Sequence, residues 1–270
     1  MNLSSAYLLV FHGSRDPRTQ IAVSELARLL AQTLENKPIV TQRKYLEQHL
    51  SDSTSKGMKI LERSTIPIVN TAALELSSLP LYQSIIQFAL QARKNGDRVV
   101  EIVPLFLSAG VHVREDIPSE IALAKKAIES KISIKLSPHI GKYSGMRGLL
   151  ANKFARLPGD GRILLAHGSR LSGANDRCET LATELNAIAA YWIATPDSFS
   201  LDRQISDLVG KGKKRIAILP YFLFPGKITK AIANRVVELQ AIYPQVELIL
   251  DRPLSTTSDL AELIGREIQA

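Results

Sequence analysis

The chain has 270 residues, 45% of them hydrophobic and 22% charged, enough to bury a core in one large domain or two modest ones. Lys and Arg outnumber Asp and Glu by 34 to 26, and the resulting formal charge of +8 favours anionic partners. The single cysteine, Cys178, excludes an intramolecular disulfide, a four-cysteine zinc site and a cysteine-held iron–sulfur cluster within one chain. The basic run at 211–215 is broken by Gly212 and has no interleaved aromatic residues, so nucleic acid is not an expected partner. The opening MNLSSAYLLVF lacks a positive leader and is too short in its apolar part for a signal peptide or a membrane span. The expectation is a cytoplasmic protein without membrane contact.

In chain order, the first device is LLVFHGSR at 8–15, an apolar run that predicts a strand and ends in polar residues. Asp16 then reads as the N-cap of a helix with Pro17 at its first position and Ile21, Leu26, Leu29 and Leu30 near helical spacing. The device returns as LLAHGSR at 164–170, followed by Cys178, Leu181, Leu185 and Ile188 at helical intervals. RVVEIVPLFLSAG at 98–110 parallels RIAILPYFLFPG at 215–226, and KISIKLSPHIG at 131–141 parallels QVELILDRPLS at 245–255. Each half is therefore expected to alternate four strands with four helices. Continuous apolar strands such as IVPLFL fit parallel sheets covered on both faces.

The predicted fold class is α/β, two similar doubly wound lobes related by internal duplication. LPGDG at 157–161 supplies proline and glycines at the junction, dividing the chain into an N-terminal lobe, 1–157, and a C-terminal lobe, 158–270. The interval from His12 to Pro104 is much longer than that from His167 to Pro220. The polar segment 49–59 is the expected core of an insertion and a candidate lid.

Ligands of open α/β sheets bind beyond the carboxyl ends of the strands. Three potential metal ligands fall there in the first half: His12 after LLVF, Glu75 after NTAAL and His112 after LFLSAGV. Imidazole and carboxylate together suit Fe²⁺, Co²⁺, Ni²⁺ or Zn²⁺. In the second half only His167 remains, with Tyr191 expected opposite Glu75 and Ile228 opposite His112, so one lobe is read as active. Asp116 is read as a helix cap, with support of His112 as its other role. Trp192 and Tyr191 are read as core, and His49 and His139 as structural or surface residues. G-x-S-x-G, G-x-G-x-x-G and P-loop patterns are absent, which leaves hydrolase, dinucleotide and nucleotide readings without support.

HGSR, TAALELSSLP and VPLFLSAGVHVREDIP together resemble the signature segments of the class II tetrapyrrole chelatases, specifically the sirohydrochlorin chelatases in their long, two-lobed form. The resemblance implies ATP-independent insertion of Fe²⁺ into sirohydrochlorin to give siroheme. The alternatives are Co²⁺ insertion towards cobalamin or a non-catalytic metal or tetrapyrrole carrier. It implies that His12, Glu75 and His112 bind the metal and accept protons. Sirohydrochlorin is edged by carboxylates, which gives Ser14, Arg15, Arg18, Arg114, Arg170 and Lys227, with Lys230 nearby, an expected role in binding it. No permanently bound cofactor is expected, since the divalent metal is a substrate. The sequence does not specify oligomeric state.

Overall fold

The computed structural model describes residues 5–35, 67–128, 132–169, 173, 175–193 and 199–269. The expected insertion at 49–59 and the substrate-binding candidate Arg170 lie outside the described residues. The first lobe runs β1 (Ser5–Phe11), α1 (Pro17–Glu35), β2 (Val69–Ala73), α2 (Leu81–Lys94), β3 (Val99–Pro104), α3 (Ile117–Ala127), β4 (Ser133–Leu136) and α4 (Met146–Ala155). The second repeats the order with β5 (Gly161–Ala166), α5 (Asp176–Glu184), β6 (Ile188–Tyr191), α6 (Leu201–Gly210), β7 (Arg215–Pro220), α7 (Lys227–Ile242), β8 (Glu247–Leu250) and α8 (Ser258–Glu267). Each lobe forms a four-stranded parallel sheet, ordered β2-β1-β3-β4 in one and β6-β5-β7-β8 in the other. The alternation and the duplication are as the sequence predicts.

The period-2 geometry of a strand sends alternate side chains to opposite faces, and β1 shows where each face goes. Ala6, Leu8 and Val10 enter a core with Leu81, Ile85, Phe88, Ile117 and Ile121 from α2 and α3. Tyr7, Leu9 and Phe11 enter a different core, shared by both lobes, that also takes Leu164, Ala166, Ala217 and Leu219 from the second sheet. Helices α1, α4, α5 and α8 fill the space between the sheets through Leu26, Leu30, Leu150, Phe154, Leu181, Leu260 and Ile264. The outer face of the second sheet has its own core with α6 and α7.

Polar contacts also fix one lobe against the other. The Thr19 hydroxyl donates to the carbonyl of Pro225 at 3.1 Å. Lys153 of α4, only 4% exposed, pairs with Asp251 beyond β8 at 2.9 Å. A buried ammonium is tolerated only when so paired.

One local reading is corrected and another holds. Helix α5 stops at Glu184, because Asn186 takes a left-handed conformation at φ 51° and reverses the chain. Ile188 therefore begins β6 instead of continuing the helical stripe. Asp16 does cap α1, its carboxylate accepting from the Arg18 backbone N–H at 3.1 Å.

Candidate metal centre

The first lobe brings three side chains to the carboxyl edge of its sheet. His12 follows the last residue of β1 directly. The β1–β2 ladder continues past both strands, with Leu74 N–H donating to Phe11 carbonyl at 2.8 Å and Glu75 N–H to His12 carbonyl at 2.9 Å. Glu75 is thereby locked opposite His12. This close approach depends on Gly13, which sits at φ +101° with no room for a side chain: a Cβ there would lie 2.0 Å from the Glu75 carbonyl oxygen. Leu76, at φ 56°, turns the chain sharply after Glu75, a conformation uncommon for a residue with a branched side chain.

His112 arrives from β3. That strand ends at Pro104, and Leu105 N–H still donates to Val10 carbonyl at 2.7 Å, which sets the following loop over His12. His112 then begins a single π-helical turn, His112–Asp116, that leads into α3. The ring of His112 stands edge-on to that of His12, with centroids 4.7 Å apart at 82°. His12 Nε2 and Glu75 Oε2 are 3.9 Å apart. One ligand atom from each of His12, Glu75 and His112 lies within 4.8 Å of the others. Two donors about 2.1 Å from a common ion stand at most about 4.2 Å apart, so small side-chain rotations would let all three reach one cation. The side chains of His12 and Glu75 are 51% and 50% exposed, which leaves the mouth open to a large ligand.

The structure corrects the reading of Asp116 as a cap. Its side chain makes no capping hydrogen bond to α3. Instead Oδ2 lies 2.6 Å from His112 Nδ1. The two roles were distinguishable only once the helical turn placed residues 112 and 116 together.

Of the basic residues expected to meet a ligand, Arg18 is already engaged. Its Nε and Nη2 donate to Asp16 at 3.0 and 2.6 Å, and the guanidinium holds the Asp16 carboxyl down at about 2. Arg15 and Arg114 form no ion pair among the described residues, and Lys227 acts electrostatically on Asp16 from across the lobes. The Ser14 hydroxyl accepts from Asp16 N–H at 3.0 Å, so it shapes the loop. A cavity of about 370 Å³ at the carboxyl edge of the second sheet is lined by Thr229, Lys230, Asp251 and Arg252 among others, with Arg18 reaching it from the first lobe. Asp251 is neutralised by Lys153 and Arg18 is neutralised by Asp16, leaving Lys230 and Arg252 as surplus positive charge.

The second lobe keeps the backbone device and drops the ligands. Ile193 N–H donates to His167 carbonyl at 2.8 Å, and Gly168, at φ +85°, has its missing Cβ 2.4 Å from the Ile193 carbonyl oxygen. The counterpart of Glu75 is therefore Ile193. Tyr191, expected in that place, pairs with Ala166 exactly as Ala73 pairs with Phe11. It is buried and its hydroxyl meets Glu179 at 3.2 Å, in keeping with a core role. Counted from the strand-end prolines Pro104 and Pro220, Ile228 falls opposite His112, and it is the second residue of α7. His139 is half-buried with Nδ1 on the Phe106 carbonyl at 3.1 Å, and burial lowers its pKa; it is structural. Burial raises the Cys178 thiol to about 12, leaving it inert.

No curated protein matches the sequence. The chain resembles SirB of Bacillus subtilis subspecies spizizenii in complex with cobalt, at 20% identity and TM-score 0.64 over 99% of this chain and 95% of that one. Bacillus subtilis SirB with Fe³⁺ gives 20% identity and TM-score 0.66 over the same shares. CbiX, described as the terminal enzyme for siroheme biosynthesis in denitrifying bacteria, gives 19% identity and TM-score 0.62 over 98% of each chain. The CbiX family model matches twice, over residues 51–157 and 161–270, once in each lobe, and with the two-fold repeat of the fold it shows that the chain belongs to the CbiX family.

Proposed function

We propose that this chain is a sirohydrochlorin chelatase that inserts Fe²⁺ into sirohydrochlorin to give siroheme. The observation that carries the reading is the convergence of His12, Glu75 and His112 at one open sheet edge, a cluster that among the described residues occurs in the first lobe and not in the second. Relatives of the same fold include proteins described with cobalt, with iron and in siroheme synthesis. A SirB structure holding cobalt favours Co²⁺ insertion as the second reading, and the same nitrogen and oxygen donors suit both ions.

The reaction removes two protons from pyrrole nitrogens and replaces them with a divalent cation. His12 and His112, as neutral imidazoles, offer lone pairs to the partly desolvated ion and then accept protons as it transfers to the macrocycle. Glu75 adds the negative charge that draws the cation in and offers a second proton acceptor. Nothing in this sequence of steps requires a nucleotide or a resident cofactor.

Arg15, Arg114, Lys227, Lys230 and Arg252 supply the positive field for a polycarboxylate. Exposed charges act weakly one by one and are screened by salt, so their effect is collective. The division of labour follows: lobe 1–157 carries the metal, while lobe 158–270 closes the cleft and presents positive charge. Among the described residues no helix is long and apolar enough to cross a membrane, compatible with a cytoplasmic enzyme.

The test is an anaerobic assay of sirohydrochlorin with Fe²⁺, Co²⁺ and Ni²⁺ in separate reactions, following the absorbance change of insertion. Catalysed insertion of Fe²⁺, faster than that of Co²⁺, is expected. Faster Co²⁺ insertion would move the assignment to the cobalt reading. Binding of macrocycle without any acceleration would make the chain a carrier.

A further inference from the structure

The two lobes start the same helix differently, and the difference falls on a metal ligand. In α7 the first buried residue is Ile232, followed by Val236 and Leu239. In α3 it is Ile117, followed by Ile121 and Ala124. The buried stripes match, 117, 121 and 124 against 232, 236 and 239, so the helix bodies are equivalent. Yet His112 lies five positions before Ile117, whereas its counterpart Ile228 lies four positions before Ile232. The first lobe carries one extra residue at this point.

That residue is absorbed as the π-helical turn His112–Asp116, closed by Ile117 N–H donating to the carbonyl of His112. Single π turns are uncommon and concentrate at functional sites, because they disturb the regular ladder. Here the turn sets Asp116 Oδ2 against His112 Nδ1 at 2.6 Å, a short, charge-assisted contact. The second lobe has neither histidine, nor carboxylate, nor extra residue: its segment 228–232 is Ile-Thr-Lys-Ala-Ile, and α7 starts with an ordinary arrangement in which Gly226 N–H donates to the Thr229 hydroxyl at 2.8 Å. Ligand, partner and insertion are thus present together in one lobe and absent together in the other.

We infer that the one-residue π insertion exists to place Asp116 as the positioning residue of His112. With Nδ1–H donated to Asp116, the lone pair of the ring belongs to Nε2, and the ring is held against rotation. A histidine so oriented and made more basic by a carboxylate binds metal more tightly. Asp116 touches neither metal nor macrocycle in this role. The inference rests on the assignment of His112 as a ligand of the substrate metal.

The experiment uses the full-length chain and Co²⁺ alone, titrated through its ligand-field absorption, so that macrocycle chemistry does not enter. Wild type should bind, and His112→Ala should lose most of that binding. Asp116→Ala should weaken Co²⁺ about 10- to 100-fold, with Asp116→Asn recovering part of the loss because its amide oxygen still accepts from Nδ1–H. In turnover the same variants should raise the KM for metal and leave the KM for sirohydrochlorin unchanged. An Asp116→Ala protein that binds Co²⁺ as wild type does, while His112→Ala does not, overturns the role of Asp116 and leaves the metal site standing. Wild-type and His112→Ala proteins that bind Co²⁺ alike overturn the ligand assignment and this inference with it. Asp116→Ala and Asp116→Asn losing binding equally, with a parallel loss of helical circular dichroism, also overturns it, since a purely structural residue behaves that way.

Discussion

His112→Ala should lower metal insertion by at least about 100-fold, the lower range for removal of a positioned proton-transfer group, while His167→Ala retains most of the wild-type rate. The contrast follows from what surrounds each ring. His112 stands 4.7 Å from His12, centroid to centroid, within reach of Glu75. Removing it takes away one of three donors and one of the groups able to receive a pyrrole proton.

His167 sits at the corresponding end of β5, but its neighbours at the two matching positions are Ile193 and Ile228, whose side chains offer no lone pair. Its own Nδ1 lies 3.0 Å from the Gly168 carbonyl, a local contact within its loop. Steady-state rates with saturating metal and macrocycle decide the matter. Equal losses in the two variants would contradict the assignment of the chemistry to one lobe.

How much of this was readable in the sequence depends on what kind of signal each element leaves. The duplication, the strand-helix alternation and the sheet edge as the place of the site all rest on apolar runs and repeated segments, which survive in a one-dimensional string. His12, Glu75 and His112 were accessible because parallel strands collect distant residues at one edge. Three things escaped. The pairing of Ile193 with His167 depends on backbone hydrogen bonds that extend two residues beyond the strand, whereas Tyr191, expected in that place, is the last residue of β6 itself. The shared core between the sheets escaped because burial against a second lobe looks, in sequence, like burial against a first. The choice between the two roles read for Asp116 escaped because Asp before Ile-Pro is also the pattern of a helix start, and only the π turn separates the two. The one-residue offset was nevertheless present in the sequence: aligning the buried positions of the two helices would have shown it.

Gly13→Ala should both destabilise the protein and disable the metal site, whereas Gly168→Ala should do only the first. Both glycines occupy the left-handed region, at φ +101° and +85°, where an L-residue costs about 1–2 kcal/mol. The clash adds to this, because an alanine Cβ at 13 would meet the Glu75 carbonyl oxygen at 2.0 Å and one at 168 would meet the Ile193 carbonyl oxygen at 2.4 Å. Neither obstacle is a flexible side chain that could swing away. The backbone must move, and overpacking of this sort costs a further ~1–3 kcal/mol.

The two variants should accordingly melt several degrees below wild type, by a similar amount, since each breaks the same device in its own lobe. Their metal binding should diverge. At position 13 the strand pair that gives way is the one that fixes Glu75 opposite His12, so the 3.9 Å separation of their ligand atoms cannot be kept and Co²⁺ affinity falls steeply. At position 168 the displaced residues are His167 and Ile193, which hold no ion, and the affinity stays near that of wild type. A folded Gly13→Ala protein with unaltered Co²⁺ affinity would show that the ladder between His12 and Glu75 does not set the geometry of the metal site. The two glycines thus separate what the duplicated backbone does for folding from what the first lobe alone does with it.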